Sequence, residues 1–504
     1  MADYLAGKFS SLVDQPQLGF LKTMAVELPT AEWFLVGGAV RDVILGRFDD
    51  QQHDFDLVVR GVDLDEVSAV LSRLGRVNYV GRDFGVLKFW PEGSWVEARS
   101  IDIAWPRIEQ AGRSGGRRDF IVHSDPDLPM VDDLSRRDFT VNALAWDFNQ
   151  AQLIDPFGGL ADIEAGLIRA VGQADQRFQE DYSRLLRAVR FACELDFEIA
   201  EETWAAVARL ADHLNDTRPA EDGRIERIVS YEIIASEFLK MLSANAVRAV
   251  DLLERSEILF KLLPELGRLI GLSQPSKWHS EGDVWQHTKL ALQKLTDPDF
   301  IVLFPEEQPT LETKLAVLLH DIGKADTFNQ SEGRITFHGH DVRGAELARS
   351  ITERLKLSSV PRLNIRPERI EWLVQAHLFP ILVDLDHVRK TTLSRYFLTN
   401  EEAGRQLLHL GFADLAASIP ESGQPDISNL ERLLIELDEV KLKQAETPAW
   451  LTGDEVLMAT GLEPGPKIGR LLEELHEAQL SGEVETEDQA KEFLWKKIRD
   501  WETD

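Results

Sequence analysis

A chain of 504 residues, 43% hydrophobic and 28% charged, has the make-up of a globular protein, with length enough for roughly three or four domains with sizeable cores. Its formal net charge of −31 excludes a body that is basic all over, yet arginines crowd the stretch from Arg99 to Arg190 while acids crowd the last part of the chain, which predicts a positive cleft on an acidic body. No apolar run of about 18 residues, no basic-then-apolar leader and a single Cys193 exclude a membrane span and an internal disulfide and point to a reducing cytoplasm.

Residues 1 to about 165 alternate short apolar runs with turns and read as a mixed sheet with a few helices. The first informative stretch is Val36-Gly37-Gly38-Ala39-Val40-Arg41-Asp42, after an apolar strand from Trp33 to Val36. A Gly-Gly turn into a short helix lets backbone N–H groups approach a phosphate that a Cβ would hold off, and Arg41, one turn inside, reaches the same anion. In His53-Asp54-Phe55-Asp56-Leu57-Val58-Val59, strand alternation puts Asp54 and Asp56 on one face and Phe55, Leu57 and Val59 on the other. Paired carboxylates beside a phosphate cradle are what Mg²⁺-assisted nucleotidyl transfer requires. In this order and spacing, the two stretches resemble the opening motif of the class II tRNA nucleotidyltransferase and bacterial poly(A) polymerase superfamily.

Further matches follow along the chain. Ile101-Asp102-Ile103-Ala104-Trp105-Pro106-Arg107 aligns with the family's Asp-x-Ala-x-x-Arg strand, with Trp105-Pro106 in place of the usual small pair. Asp102 is thereby the candidate third carboxylate, activating the attacking 3′-hydroxyl. Between Arg107 and Asp133 a polar stretch with Gly112, Ser114, Gly115 and Gly116 has the composition of a mobile loop. In the family, a flexible loop at this position goes with ability to add the terminal A. Leu134-Ser135-Arg136-Arg137-Asp138-Phe139-Thr140-Val141-Asn142 looks like the second motif, which implies that Arg137 and Asp138 contact the ribose and phosphates of a bound nucleotide. Asp155-Pro156-Phe157-Gly158-Gly159 is similar to the third, a hinge between head and neck.

From about 166, helical periodicity dominates, over Tyr182 to Leu195, Glu202 to Leu214, Ile225 to Leu242 and Ala246 to Leu263. The fourth match is Phe178-Gln179-Glu180-Asp181-Tyr182-Ser183-Arg184-Leu185-Leu186-Arg187-Ala188-Val189-Arg190-Phe191-Ala192. On one helix Asp181 and Arg184 share a face, as do Arg184 and Arg187. A carboxylate beside a guanidinium complements the edge of cytosine or adenine and sets like against like with guanine or uracil. The resemblance implies that Asp181 and Arg184 select CTP and then ATP without a nucleic-acid template, Arg187 helping to place the nucleotide.

Pro264, Pro275 and the polar run from Ser273 to Ser280 precede a second helical block. It carries His287, the pair His320-Asp321 ending an apolar helix, and Asp414, N and O ligands from separate helices that suit a divalent metal. His340 and His377 are candidate ligands of a second ion. This pattern resembles an HD-domain phosphohydrolase; such blocks, fused to some tRNA nucleotidyltransferases, are linked with phosphatase or cyclic-phosphodiesterase action on phosphate ends. The run from Leu451 to Arg470 looks like the C-terminal segment of bacterial members with such blocks.

The expected architecture is α+β: a nucleotidyltransferase head over 1–165 with a small mixed sheet, a helical neck and body over 166–275, an HD-type domain over 276–430 and a helical tail over 431–504. The expected activity is CCA addition to the tRNA 3′ end from CTP and ATP. Mg²⁺ would sit on Asp54 and Asp56 and the triphosphate on Gly37, Gly38 and Arg41, with no membrane partner. An A-adding enzyme, a poly(A) polymerase, or an HD phosphohydrolase with a nucleotide-sensing head are the alternatives.

Overall fold

The apolar run ahead of the glycine pair forms β1 (Glu32–Val36), and its last four residues are at most 2% exposed. Cover on both faces makes it a central strand. The computed structural model describes residues 2–49, 55–80, 85–92, 100–110, 116, 121–220, 222–446, 450–460 and 463–503. It divides into two compact units, Met1–Leu262 and Leu263–Asp504.

In the first unit β1 joins β2 (Asp56–Arg60), β3 (Gly75–Tyr79), β4 (Val86–Pro91), β5 (Ile101–Ala104), β8 (Ala145–Asp147) and β9 (Gln152–Ile154) in a sheet of order β3-β4-β5-β2-β1-β8-β9. The strands β6 (Arg107–Gln110) and β7 (Ile121–Ser124) pair separately. Only β2 and β5 run parallel; the other pairings of the sheet are antiparallel. Register sets Lys88 opposite Asp102 and Asp102 opposite Asp56. Because side chains alternate, these three form a row on one face, while Leu87, Phe89, Ile103 and Leu57, all at most 1% exposed, pack on the other. Farther along the row's face, Phe34, Val36 and Val58 cluster with Met130, Leu134 and Val171, so the polar row ends in apolar packing.

Two expectations for this unit are corrected. The loop expected between Arg107 and Asp133 is a β-hairpin at its base, since Arg107 pairs with Ser124 and Gln110 with Ile121. Alternation in Arg107-Ile108-Glu109 and Val122-His123 is strand chemistry that the glycine-rich centre masked; 111–115 and 117–120 lie outside the described residues. The helix expected from Ile225 begins at Tyr231, because Ile225–Arg227 pairs with Thr217–Pro219 across a turn in which Gly223 takes φ 79°. That helix runs on to Arg255 through the non-helical Asn245, whose side chain accepts the Arg248 N–H and restarts it.

The second unit is helical. Val284–Lys294, Leu311–Leu319 and Glu401–Ala417 start at Asp283, Thr310 and Asn400, whose side chains accept backbone N–H groups of the first turn. Gly323 lets His340–Arg354 lie directly against the turn after Leu311–Leu319, where a Cβ would overlap the His340 carbonyl oxygen. Three further helices, Gly453–Thr460, Pro466–Ser481 and Glu487–Thr503, pack around Leu471, Leu475 and Leu494. Glu477 ties them to the rest of the unit by accepting the N–H groups of Lys390 and Thr391. Among the described residues no helix is long and apolar enough to cross a membrane.

Candidate active sites

In the head, the antiparallel pair β1/β2 sets Leu35 opposite Leu57, so one step on brings Asp56 on β2 level with Val36, the last residue of β1 before the Gly37-Gly38 turn. The glycine turn and Asp56 are therefore neighbours, with Asp102 beside Asp56 on the next strand. Asp54 lies outside the described residues. Gly37 has φ 75°, which makes glycine the fitting residue for the turn, and a Cβ there would come 2.5 Å from an Nη of Arg137 and push that guanidinium aside. Asp102 accepts from Lys88 Nζ at 2.8 and 3.1 Å through its two oxygens.

Arg41 does not stand open to an anion as the sequence suggested. Its Nε and one Nη donate to Asp42 at 2.9 Å each and the other Nη donates to Asn142 at 2.6 Å, within a site where it is 8% exposed. Asn142 in turn donates to Asp138 at 3.3 Å, and Arg187 Nε donates to Asp138 at 2.7 Å. Arg41 and Arg187 each lie 5.4 Å from the Phe191 ring centre, which closes the chain of contacts into a ring. Burial pushes the Asp138 carboxyl up, but the Arg187 charge and hydrogen bond, with Arg184 and Asn142, outweigh it and hold it at about 2. The carboxylate is thus fixed with its partners, and Asn142 and Phe191, which lie inside the second and fourth matched stretches without a role given to them there, belong to the same ring.

Asp181 and Arg184 do not share a helix. Ala174–Glu180 ends at Asp181, which is extended at φ −153°, and Ser183–Leu195 begins two residues on. Asp181 accepts the Ser183 N–H at 2.9 Å, a local turn that competes with helix and breaks the run. Arg184 pairs with Glu180 at 2.5 Å and also donates to the carbonyls of Arg177 and Arg136. It borders a small polar pocket walled by Glu109, Arg136, Arg177 and Glu180. Glu109 comes from the β6/β7 hairpin and pairs with Arg136 at 2.8 Å.

The second unit gathers every predicted HD residue. Two groups each bring their ligand atoms within 4.8 Å of one another: His287, His320 and Asp414, and Asp321, His340 and His377. Asp321 lies between them, one oxygen 3.3 Å from His320 Nε2 and the other 3.5 Å from His340 Nε2. His320, His340 and His377 each place Nδ1 within 2.9 Å of the carbonyl three residues back, which orients Nε2 toward the cluster. Burial, with His320 beside it, holds His377 down at about 4, so its ring is neutral and its Nε2 lone pair is available. For His287 burial opposes the proton, but Asp414 and Glu281 outweigh it and push the ring up to about 9. His320 Nε2 and Asp321 Oδ2 face each other at 3.3 Å, and the Lys324 ammonium lies 2.7 Å from the same oxygen, so a cationic group already sits beside the cluster.

Two residues that the ligand pattern did not single out support this cluster. Glu281 accepts the Nδ1 groups of His287 and His279 at 2.8 Å each and the Ile419 N–H at 3.0 Å, so it acts as an outer support for His287. Lys324, 7% exposed, lies 2.7 Å from Asp321 and donates to Gln274 at 2.9 Å. Both stand close in the chain to predicted ligands, Glu281 shortly before His287 and Lys324 shortly after His320-Asp321, and that proximity was the available signal.

A row of carboxylates beside a glycine turn, backed by arginines, in a chain that also carries a helical His/Asp cluster, defines a nucleotidyltransferase joined to an HD-type domain. Residues 33–169 match the poly A polymerase head domain and 286–433 the HD domain. The A-adding tRNA nucleotidyltransferase of Deinococcus radiodurans is 35% identical over 78% of this chain and 85% of its own length. A multifunctional CCA protein of Neisseria meningitidis is 36% identical over 64% of this chain and 68% of its own. The fold is shared with the Bacillus stearothermophilus CCA-adding enzyme in complex with CTP, at TM-score 0.61, 23% identity and coverage of 96% and 97% of the two chains. The chain belongs to the tRNA nucleotidyltransferase family.

Proposed function

We propose that this protein is a cytoplasmic enzyme that completes the tRNA 3′ end, adding C, C and A from CTP and ATP. The reading is carried by one observation, the registered pair Asp56 and Asp102 next to the Gly37-Gly38 turn. Asp54 and Asp56 would hold Mg²⁺, which would supply charge stabilisation to the reacting phosphate. Backbone N–H groups at Gly38 and the Arg137 guanidinium take the triphosphate, and Asp102 faces the 3′-hydroxyl of the RNA. As the hydroxyl proton passes to Asp102, the 3′-oxygen bonds to the α-phosphorus, the α–β anhydride breaks, and pyrophosphate leaves. Asp138 and Arg187 place the nucleotide. Asp181 and Arg184 read the base, the Glu180 pair presetting the guanidinium so that a mismatched edge leaves buried groups unpaired, at roughly 1–3 kcal/mol each.

The relatives include both CCA and A-adding enzymes, so the test uses three acceptors: tRNA ending before CCA, after C and after CC, each with CTP and ATP, the products sequenced. CCA on the shortest acceptor is the expected result. A on the CC-ended acceptor alone identifies an A-adding enzyme, and long A tracts on any RNA identify a poly(A) polymerase.

The HD cluster supports a second activity on the same chain, metal-dependent hydrolysis of phosphate ends. It rests on the convergence of buried ligand atoms within 4.8 Å of one another, in His287, His320 and Asp414 and in Asp321, His340 and His377. His287, His320, Asp321 and Asp414 would hold one divalent ion, with Asp321, His340 and His377 offering a second position. Release of phosphate from a phosphomonoester that depends on added metal and disappears in His320→Ala tests it.

A further inference from the structure

Lysine is depleted in strand interiors, and one in the middle of Val86-Leu87-Lys88-Phe89-Trp90 calls for a reason. Alternation buries Leu87 and Phe89 at 0% exposure and turns Lys88 to the face that carries the carboxylates. There it meets Asp102 as its registered partner and bonds both carboxylate oxygens, at 2.8 and 3.1 Å. Ser100 Oγ completes the contact, 3.2 Å from Lys88 Nζ and 3.2 Å from Asp102 Oδ1. Asp102 is therefore held at three points.

A pair whose side chains are 35% and 39% exposed adds little to stability, so placement is the better account of it. Asp56 and Asp102 sit on adjacent strands, about 4.8 Å apart by sheet geometry, where two like charges repel. One ammonium on the far side of Asp102 offsets that repulsion and draws the carboxylate toward β4. Asp102 is left with a cation on one flank and Asp56 on the other, in one orientation before any substrate arrives. We propose that Lys88 is a positioning residue for nucleotidyl transfer, fixing Asp102 toward the incoming RNA 3′-hydroxyl. The proposal rests on the role given to Asp102 above.

The test uses the full chain, a tRNA lacking only its terminal A, ATP and Mg²⁺, and compares Lys88→Met, Lys88→Arg and Asp102→Asn with the double variant Lys88→Met/Asp102→Asn. Lys88→Met is expected to lower kcat roughly 10–100-fold, the usual scale for outer-shell partners, with KM for ATP nearly unchanged because the triphosphate contacts lie at the glycine turn. Lys88→Arg, which can bond the same two oxygens, should recover most of the rate. In the Asp102→Asn background Lys88→Met should cost little more, since its effect passes through that carboxylate. Wild-type kcat in Lys88→Met overturns the proposal, as does equal loss in Lys88→Met and Lys88→Arg with a lowered Tm. A fully active Asp102→Asn overturns the role of Asp102 itself, whereas an inactive Asp102→Asn with an unimpaired Lys88→Met defeats only the positioning by lysine.

Discussion

The two polar centres of this chain are built on opposite plans. In the head, the carboxylates stand on neighbouring strands, Asp102 39% exposed on its side chain, and their placement follows from sheet register. In the HD-type domain the ligands are buried, His287, His320 and His377 at 0% exposure, and each points inward because its other ring nitrogen is tied down. The contrast teaches what each site has to admit. An open row leaves room for a nucleoside triphosphate and an RNA end to arrive together, whereas a buried cluster is organised first around ions.

The sharpest way to break that separation is to remove one carboxylate of the row. Asp56→Ala is expected to cut nucleotide incorporation by at least about a hundredfold, because several kcal/mol of transition-state charge stabilisation is lost, while metal-dependent phosphate release persists. Parallel loss of both activities would mean that the centres are not independent. Conversely, Asp321→Asn should abolish phosphate release and divalent-ion binding by calorimetry, with incorporation within error of wild type. Next in size, Arg184→Ala is expected to relax base choice by roughly 10–100-fold, read as incorporation of UTP or GTP against ATP. Unchanged discrimination would assign Arg184 to structure through its Glu180 pair. Glu281→Gln should weaken metal binding to the buried cluster by about 10–100-fold and leave the head untouched.

The smallest effect concerns stability. Asp138 is held at about 2 in the folded chain against roughly 3.9 unfolded, a depressed carboxyl, so its contribution is present above pH 4 and is lost as pH falls toward 2. That contribution is on the order of 2 kcal/mol. Acid unfolding followed by circular dichroism should show a flatter pH dependence over that window in Asp138→Asn; an identical profile would show that the ring around Asp138 is not maintained by charge.

Much of this was legible in the sequence because it was local. Gly37-Gly38 needs backbone freedom, Asp102 alternates with Ile101 and Ile103, and His320-Asp321 terminates an apolar helix. What stayed hidden was set by pairing between distant segments. Lys88 meets Asp102 only through strand register, and Arg41 is absorbed by Asn142, about a hundred residues away. The hairpin from Arg107 to Ser124 was hidden by its glycines. Asp181 was misplaced for a subtler reason, since nothing in Glu180-Asp181-Tyr182-Ser183 is a helix breaker, and a side chain taking the Ser183 N–H ends one helix and starts another.

The parallel pairing of β2 with β5 bears on how this chain tolerates insertions and deletions. Between the two strands the backbone makes a long excursion over 61–100 that includes the helix Leu64–Leu71 and both β3 and β4. Lengthening the turns of that excursion leaves the row intact, provided the strands keep step. Deleting a single residue inside β5 would instead trade Asp102 for an isoleucine and turn the carboxylate into the apolar interior beside Leu57. Length variation among descendants of this sequence should therefore spare the four residues Ile101–Ala104.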